Sequence, residues 1–231
     1  MVQIHDSARR PRGRPQVRSD DATLRLVIEA AAREFQANGY AGTGMCTVAQ
    51  RAGISTKTLY RLIPAKDDLF GLVVTDKIGR FMLAIDDDTL GALDLAEALE
   101  RILLAYGTLT LSEETIAVNR LVISECDRFP EIATSFYERA IVPTSVAIVA
   151  WLRRQCERGL IRLDDPQAAS GMLRGMMIFE PQRAVMLGQR AAPGADEIAE
   201  RARSCARLFL SGCQVRQGRC GADALFPVVS P

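Results

Sequence analysis

The sequence predicts an all-α fold, with a small three-helix N-terminal domain followed by a larger helical domain. Two observations carry this reading. From about residue 20 onward the apolar residues recur at three- and four-residue intervals, the period of a helix with one buried face, and no segment alternates convincingly as a strand would. Glycines and prolines fall between these periodic stretches, where helices stop and start.

Leu24, Val27, Ile28, Ala31 and Phe35 form the first apolar stripe, and Asn38-Gly39 ends it. A short helix is expected from Cys46 to Ala52, followed by a turn at Gly53. Ser55 caps the next helix, which runs to about Leu62, and Pro64 breaks the chain before another helix begins near Lys66. Longer helices follow over 67–86, 90–111 and 113–128. The segment 130–158 reads as helical with an interruption near Pro143, and 165–188 and 195–212 complete the series. The resulting organisation is a basic arm at 1–20, a small three-helix domain at 21–66, a larger helical domain at 67–215 and a C-terminal tail at 216–231.

Of the 231 residues, 48% are apolar and 25% charged, enough for a core. No run of about 18 apolar residues is present, so no membrane span is expected. The arginines near the N-terminus have no apolar stretch behind them, so no secretory leader is expected and the reading is cytoplasmic. The single histidine, His5, and six cysteines without a CxxC pair give no zinc spacing. No metal, cofactor or catalytic constellation is expected. Charge is uneven: residues 1–80 hold 13 Lys and Arg against 8 Asp and Glu, whereas the remainder is net acidic. A polyanion partner at the basic end follows from that asymmetry.

The segment Thr47–Lys66, TVAQRAGISTKTLYRLIPAK, carries the functional signal. Small Ala49 lets two helices approach, Gly53 permits the tight turn, and Ile54 and Leu59 lock the second helix onto the first. That arrangement is the sequence form of a helix-turn-helix, or equally of a plain helical hairpin with a solvated polar face, and it leaves Ser55, Thr56, Lys57, Thr58, Tyr60 and Arg61 facing outward. Short polar, basic and aromatic groups on such a helix reach base edges and phosphates in a major groove.

Leu24 to Leu72 resembles the DNA-binding domain of the tetracycline-repressor (TetR) family. The matching residues are Ala30-Ala31, Phe35, Gly39-Tyr40, Thr43, Val48-Ala49, Ala52-Gly53-Ile54-Ser55, Thr58-Leu59-Tyr60, Lys66 and Leu69-Phe70. Two positions depart from the family pattern, which has an aromatic where Ile63 stands and often His or a second aromatic where Leu62 stands. The resemblance implies that Thr56 and Lys57 face bases, that Thr43, Thr58, Tyr60 and Lys66 hold phosphates, and that Arg61 does either. Thr47 and Ser55 complete the expected double-stranded DNA contacts. In the arm, Pro11-Arg12-Gly13-Arg14-Pro15 matches an AT-hook core, so Arg12 and Arg14 are expected to contact a narrow minor groove or phosphates, the other reading being a plain basic tail.

The family resemblance further implies a homodimer built from the last two helices and a small-molecule effector bound among the preceding ones. Asn119–Glu125 and Arg128–Glu131 resemble a subgroup that represses efflux and stress genes. Leu173, Met176, Met177, Ile178, Leu208, Phe209 and Leu210 are expected to supply the dimer's apolar area. Phe81, Met82, Tyr106, Asn119, Phe136 and Trp151 are the candidate effector contacts, for a hydrophobic or aromatic ligand. Two other readings stand beside this one: a redox-sensing regulator using thiols such as Cys213 and Cys220, and an architectural DNA binder.

Overall fold

A computed structural model describes residues 19–215; Arg12, Arg14, Cys220 and the tail at 216–231 lie outside the described residues. The chain divides into two compact units, 1–73 and 74–231, with the division inside a helix rather than at its start.

In the first unit, α1 spans Asp20–Gly42 and is capped by Ser19, whose hydroxyl accepts from the Ala22 N–H at 3.2 Å. The expected stop at Asn38-Gly39 is a kink: Gly39 takes φ 70°, and one further turn follows it. α2 (Met45–Arg51) and α3 (Thr56–Leu62) are joined through Gly53, whose φ of 69° is open to glycine at no steric cost. α4 runs from Lys66 to Ala84. Phe35, Tyr40 and Phe70 form the aromatic centre. Phe35 and Tyr40 stack with centroids 5.8 Å apart, and Phe70 meets both edge-on at 5.5 and 5.9 Å. Leu59 and Ile63, 0% and 1% exposed, anchor α3 to this core. Glu34 of α1, 1% exposed, is paired with the Arg51 guanidinium of α2 at 2.5 Å and accepts from the Asn38 amide at 3.0 Å.

The second unit contains α5 (Asp87–Gly91), α6 (Leu95–Thr110), α7 (Glu113–Glu125), α8 (Pro130–Phe136), α9 (Val142–Glu157), α10 (Pro166–Met186) and α11 (Ala195–Cys213). The helix expected from residue 90 begins later because Asp94 and Glu97 close a reciprocal capping box. The interruption near Pro143 is a π-turn over Tyr137–Ile141. Proline lacks the N–H that would bond four residues back and its ring crowds that carbonyl, so the ladder widens just before it. α6 packs against both α10 and α11. One isolated bridge, Ile161 with Gln214, ties the loop after α9 to the end of α11.

Two contacts explain how these helices lock. Pro181 lies inside α10 and donates nothing to the carbonyl of Met177. Arg201 of α11 fills that vacancy, donating from Nε to the Met177 carbonyl at 2.6 Å and from a terminal nitrogen to the Met176 carbonyl at 2.8 Å. Arg120 of α7 similarly closes the C-terminal end of α10, donating to the carbonyls of Met186 at 3.1 Å and of Val185. At Gly107, an added Cβ would overlap Met177 Cε and meet Ile198 Cγ2 at 2.9 Å. Met177 Cε is the mobile end of its side chain, so the overpacking falls mainly on Ile198. Alanine gains roughly 1 kcal/mol over glycine inside a helix, which offsets part of that strain, so Gly107→Ala is expected to destabilise the second unit by up to about 2 kcal/mol. Urea unfolding of that variant with wild-type stability would show that the core yields there.

Candidate functional site

Within the first unit, α3 is the exposed element of the helix-turn-helix. Ser55 caps it: its hydroxyl accepts from the Thr58 N–H at 3.0 Å and lies 2.8 Å from the Thr58 hydroxyl. Both side chains expected at DNA are thus partly occupied in holding the helix end. Lys57 is exposed, Tyr60 is 48% exposed, Thr47 of α2 is exposed and Thr56 is half-buried. Arg61 is exposed but forms a two-pronged pair with Asp20 of α1, at 3.0 and 2.8 Å. That hydrogen bond and charge raise the Arg61 pKa above its ordinary value. DNA contact by Arg61 would have to compete with Asp20.

Two expected phosphate contacts are differently engaged. The Thr43 side chain is buried, 3% exposed, and donates to the Gly39 carbonyl at 2.7 Å, which satisfies the kinked end of α1. A buried hydroxyl turned inward is not presented to a phosphate. Lys66 turns back across the domain, donating to the carbonyls of Tyr40 at 2.6 Å and Thr43 at 2.9 Å, with its ammonium 4.4 Å from the Tyr40 ring centroid. The last carbonyls of α1 lack helical partners and carry partial negative charge, so a cation there is favourable. Asp67 and Asp68 fill the first turn of α4, where an anionic phosphate would otherwise be attracted. Lys66 clamps the domain together in this arrangement.

The second unit holds a cavity of about 480 Å³ between the later half of α4, α6 and the start of α7. Its apolar wall is Phe81, Ala84, Leu104, Ala105 and Leu109; Thr108, Ser112 and Thr115 add hydroxyls. Lys77, Arg80, Arg101 and Glu114 supply the charge. Of the expected effector contacts, Phe81 lines this cavity and the others do not. Met82, the next residue round α4, is 42% exposed. Tyr106 and Trp151 are 5% and 4% exposed inside the core. The Tyr106 ring meets Phe81 edge-on at 6.2 Å, and burial raises its phenol pKa against the charge of Arg174. Asn119 is half-buried and donates to the Thr115 carbonyl at 2.9 Å, and Phe136 is half-buried on α8. The missed residues share one signal. Lys77, Arg80, Phe81 and Ala84 on α4, and Arg101, Leu104, Ala105, Thr108 and Leu109 on α6, recur at helical spacing on one face each.

The expected dimer residues also divide. Leu173 and Met177 are 0% exposed and Leu210 4% exposed, all within the subunit's own core. Ile178 and Phe209 pack partly against that core. The large apolar residues that α10 and α11 leave exposed are Met172 (69%), Met176 (37%), Phe179 (62%) and Leu208 (64%), with Leu187 (67%) at the C-cap of α10.

Among the described residues, no group of three or more His, Cys, Asp and Glu is arranged to hold a metal. No described helix is long and apolar enough to cross a membrane. The five described cysteines are unpaired with each other in disulfides. Burial raises the Cys205 and Cys213 pKa, and Cys156 adds to the rise at Cys213. Thiols held protonated are poor redox nucleophiles, so nothing here favours the thiol-sensing alternative.

A capped, exposed second helix held on a small three-helix core defines a helix-turn-helix DNA-binding protein. Comparison with known proteins agrees. The family "Bacterial regulatory proteins, tetR family" matches residues 27–73, and "AefR-like transcriptional repressor, C-terminal domain" matches residues 97–212. The chain belongs to the TetR family of transcriptional regulators. It is similar to a structure from Mesorhizobium loti assigned to that family, with 26% identity, a TM-score of 0.73 and coverage of 86% of this chain and 100% of the other. A flavonoid-responsive regulator, FrrA, is 26% identical with a TM-score of 0.68, covering 85% and 99%. The uncharacterized HTH-type transcriptional regulator YhgD of Bacillus subtilis is 24% identical over 158 residues, 67% of this chain and 80% of that one. The protein is thus a DNA-binding transcriptional regulator of the repressor type, with a ligand-binding C-terminal domain; nothing favours an architectural role.

Proposed function

We propose that the protein is a homodimeric, non-enzymatic repressor released from its operator when a hydrophobic or aromatic ligand enters the α4/α6/α7 cavity. The reader is α3, with Lys57 and Thr56 toward bases, and Tyr60 and Thr47 toward phosphates. The observation that carries the reading is the exposure of Lys57 and Tyr60 on a helix anchored by fully buried Leu59 and Ile63. Ser55 and Thr58 support it chiefly by capping. Arg12 and Arg14 of the arm add minor-groove contacts. The two units correspond to reader and effector domains, and α4 contributes residues to both. A ligand that displaces the later half of α4 moves a helix whose first half belongs to the reader. Likeness to a flavonoid-responsive regulator supports an aromatic effector.

Selection of bound duplexes from a random library supplies the operator for the test. Lys57→Ala is then expected to lose about 1–3 kcal/mol of binding and to relax base preference at one position. Tyr60→Phe is expected to lose about 1 kcal/mol on all sequences alike. Full operator affinity in both variants, with helicity intact, removes α3 as the reader.

A further inference from the structure

The cavity of the second unit is apolar inside and cationic at its edge, and that asymmetry constrains what fits. Phe81, Leu104 and Leu109 provide the wall for an apolar body. Three cations, Lys77, Arg80 and Arg101, stand around it against one carboxylate, Glu114, leaving two positive charges in excess. Lys77 is already matched, with its ammonium 2.7 Å from the Glu114 carboxylate. That contact, reinforced by the charge of Arg80, holds the Glu114 pKa below its ordinary value, so the carboxylate stays ionised. Arg101 donates one long hydrogen bond, 3.4 Å, to the carbonyl of Ala84 at the end of α4. Arg80 makes no hydrogen bond or ion pair at contact distance with any described residue.

Phe81 and Arg80 both line the cavity, as does Arg101 of α6, so a ligand packed on the apolar wall has guanidinium groups within the same cleft. A neutral apolar ligand in that position would strip water from guanidinium groups and return nothing, which costs free energy. A ligand ending in an anion would pair with them in a partly dehydrated cleft, where such contacts are stronger than in open water. The volume, about 480 Å³, lies within the range of small-molecule sites.

We infer that this cavity takes an anionic amphiphile: an apolar aliphatic or aromatic body ending in one carboxylate, sulfonate or phosphate-type head, with Arg80 and Arg101 as the residues that select the charge. The inference rests on the cavity being the effector site, and deepens that reading by naming the ligand's chemistry.

Two fluorescent probes separate the two ideas. 1-Anilinonaphthalene-8-sulfonate and N-phenyl-1-naphthylamine share an aromatic body and differ in the sulfonate. Each is titrated into the full-length protein and into three kinds of variant, all checked for helicity and melting temperature. Arg80→Ala and Arg101→Ala remove the charge. Ala105→Trp fills the cavity from within, and Thr108→Trp, at an exposed lining position, fills it where folding is less at risk. Binding of the sulfonate is expected to weaken about fivefold or more in each arginine variant and to fall as salt is raised. Binding of the neutral probe is expected to change less than about twofold in those variants. Both probes should be displaced by the filling variants. If the sulfonate is displaced by filling but indifferent to both arginines, the cavity stands as a ligand site and the charge selection is overturned. If neither probe responds to filling, the cavity reading and the inference fall together.

Discussion

A folded monomer that no longer holds its operator is the expected product of Phe179→Glu combined with Leu208→Glu. Phe179 and Leu208 are 62% and 64% exposed on α10 and α11, so charge at either position meets water in a lone subunit and leaves the fold intact. In a symmetric dimer each substitution occurs twice. Losing four buried apolar side chains forfeits about 6 kcal/mol or more, roughly a 10⁴-fold weakening of association. Because a helix-turn-helix dimer reads two half-sites about one DNA turn apart, a monomer loses most of its operator affinity along with its partner. The contrasting variant is Leu173→Glu, which buries a carboxylate in the subunit's own core, 0% exposed, and is expected to unfold the second unit instead. Sedimentation separates the two. A Phe179→Glu/Leu208→Glu protein that remains dimeric at micromolar concentration removes α10 and α11 from the dimer interface.

The helices were legible because the signals that set them are local. Ser55 in its cap position, Gly53 at positive φ and the breaks at Pro64 and Gly159 all act within a few residues of themselves. Even the interruption at Pro143 could be placed, although its form, a π-turn, could not. What the pattern could not resolve was which of two inward directions a side chain takes. Leu173 and Met176 both belong to the apolar spacing of α10, yet one faces α6 and the other faces away. Long-range partners were equally hidden. Nothing near Lys66 in sequence announces Tyr40 and Thr43, and Arg61 meets Asp20 across 41 positions. Choosing effector contacts by residue type favoured aromatics, and aromatics are the residues a helical core most often consumes, as Tyr106 and Trp151 show. Charged residues on the same helical faces marked the cavity better.

The same long-range pairing gives the second large effect, in the reader itself. Glu34 is a carboxylate with 1% exposure, and its charge is balanced by Arg51, whose side chain is 54% exposed. Arg51→Ala takes away the balancing charge and leaves a carboxylate that is 1% exposed without its cation. Breaking a buried pair from one side costs about 3–5 kcal/mol, and the exposure of Arg51 points to the lower end, because water can partly replace it. Since Glu34 lies on α1 and Arg51 on α2, the loss falls on the packing that carries α3. Operator binding should therefore collapse at temperatures where the second unit is still helical. Glu34→Gln with Arg51→Ala removes the charge as well as its partner, and the Asn38 amide remains to bond the new side chain. That double variant is expected to recover about 2 kcal/mol of the loss, since a neutral amide costs less to bury than an unpaired carboxylate. Urea unfolding followed on the first unit reads both values. An Arg51→Ala protein within about 0.5 kcal/mol of wild type would mean that the ion pair is a surface contact and not the tie between α1 and α2.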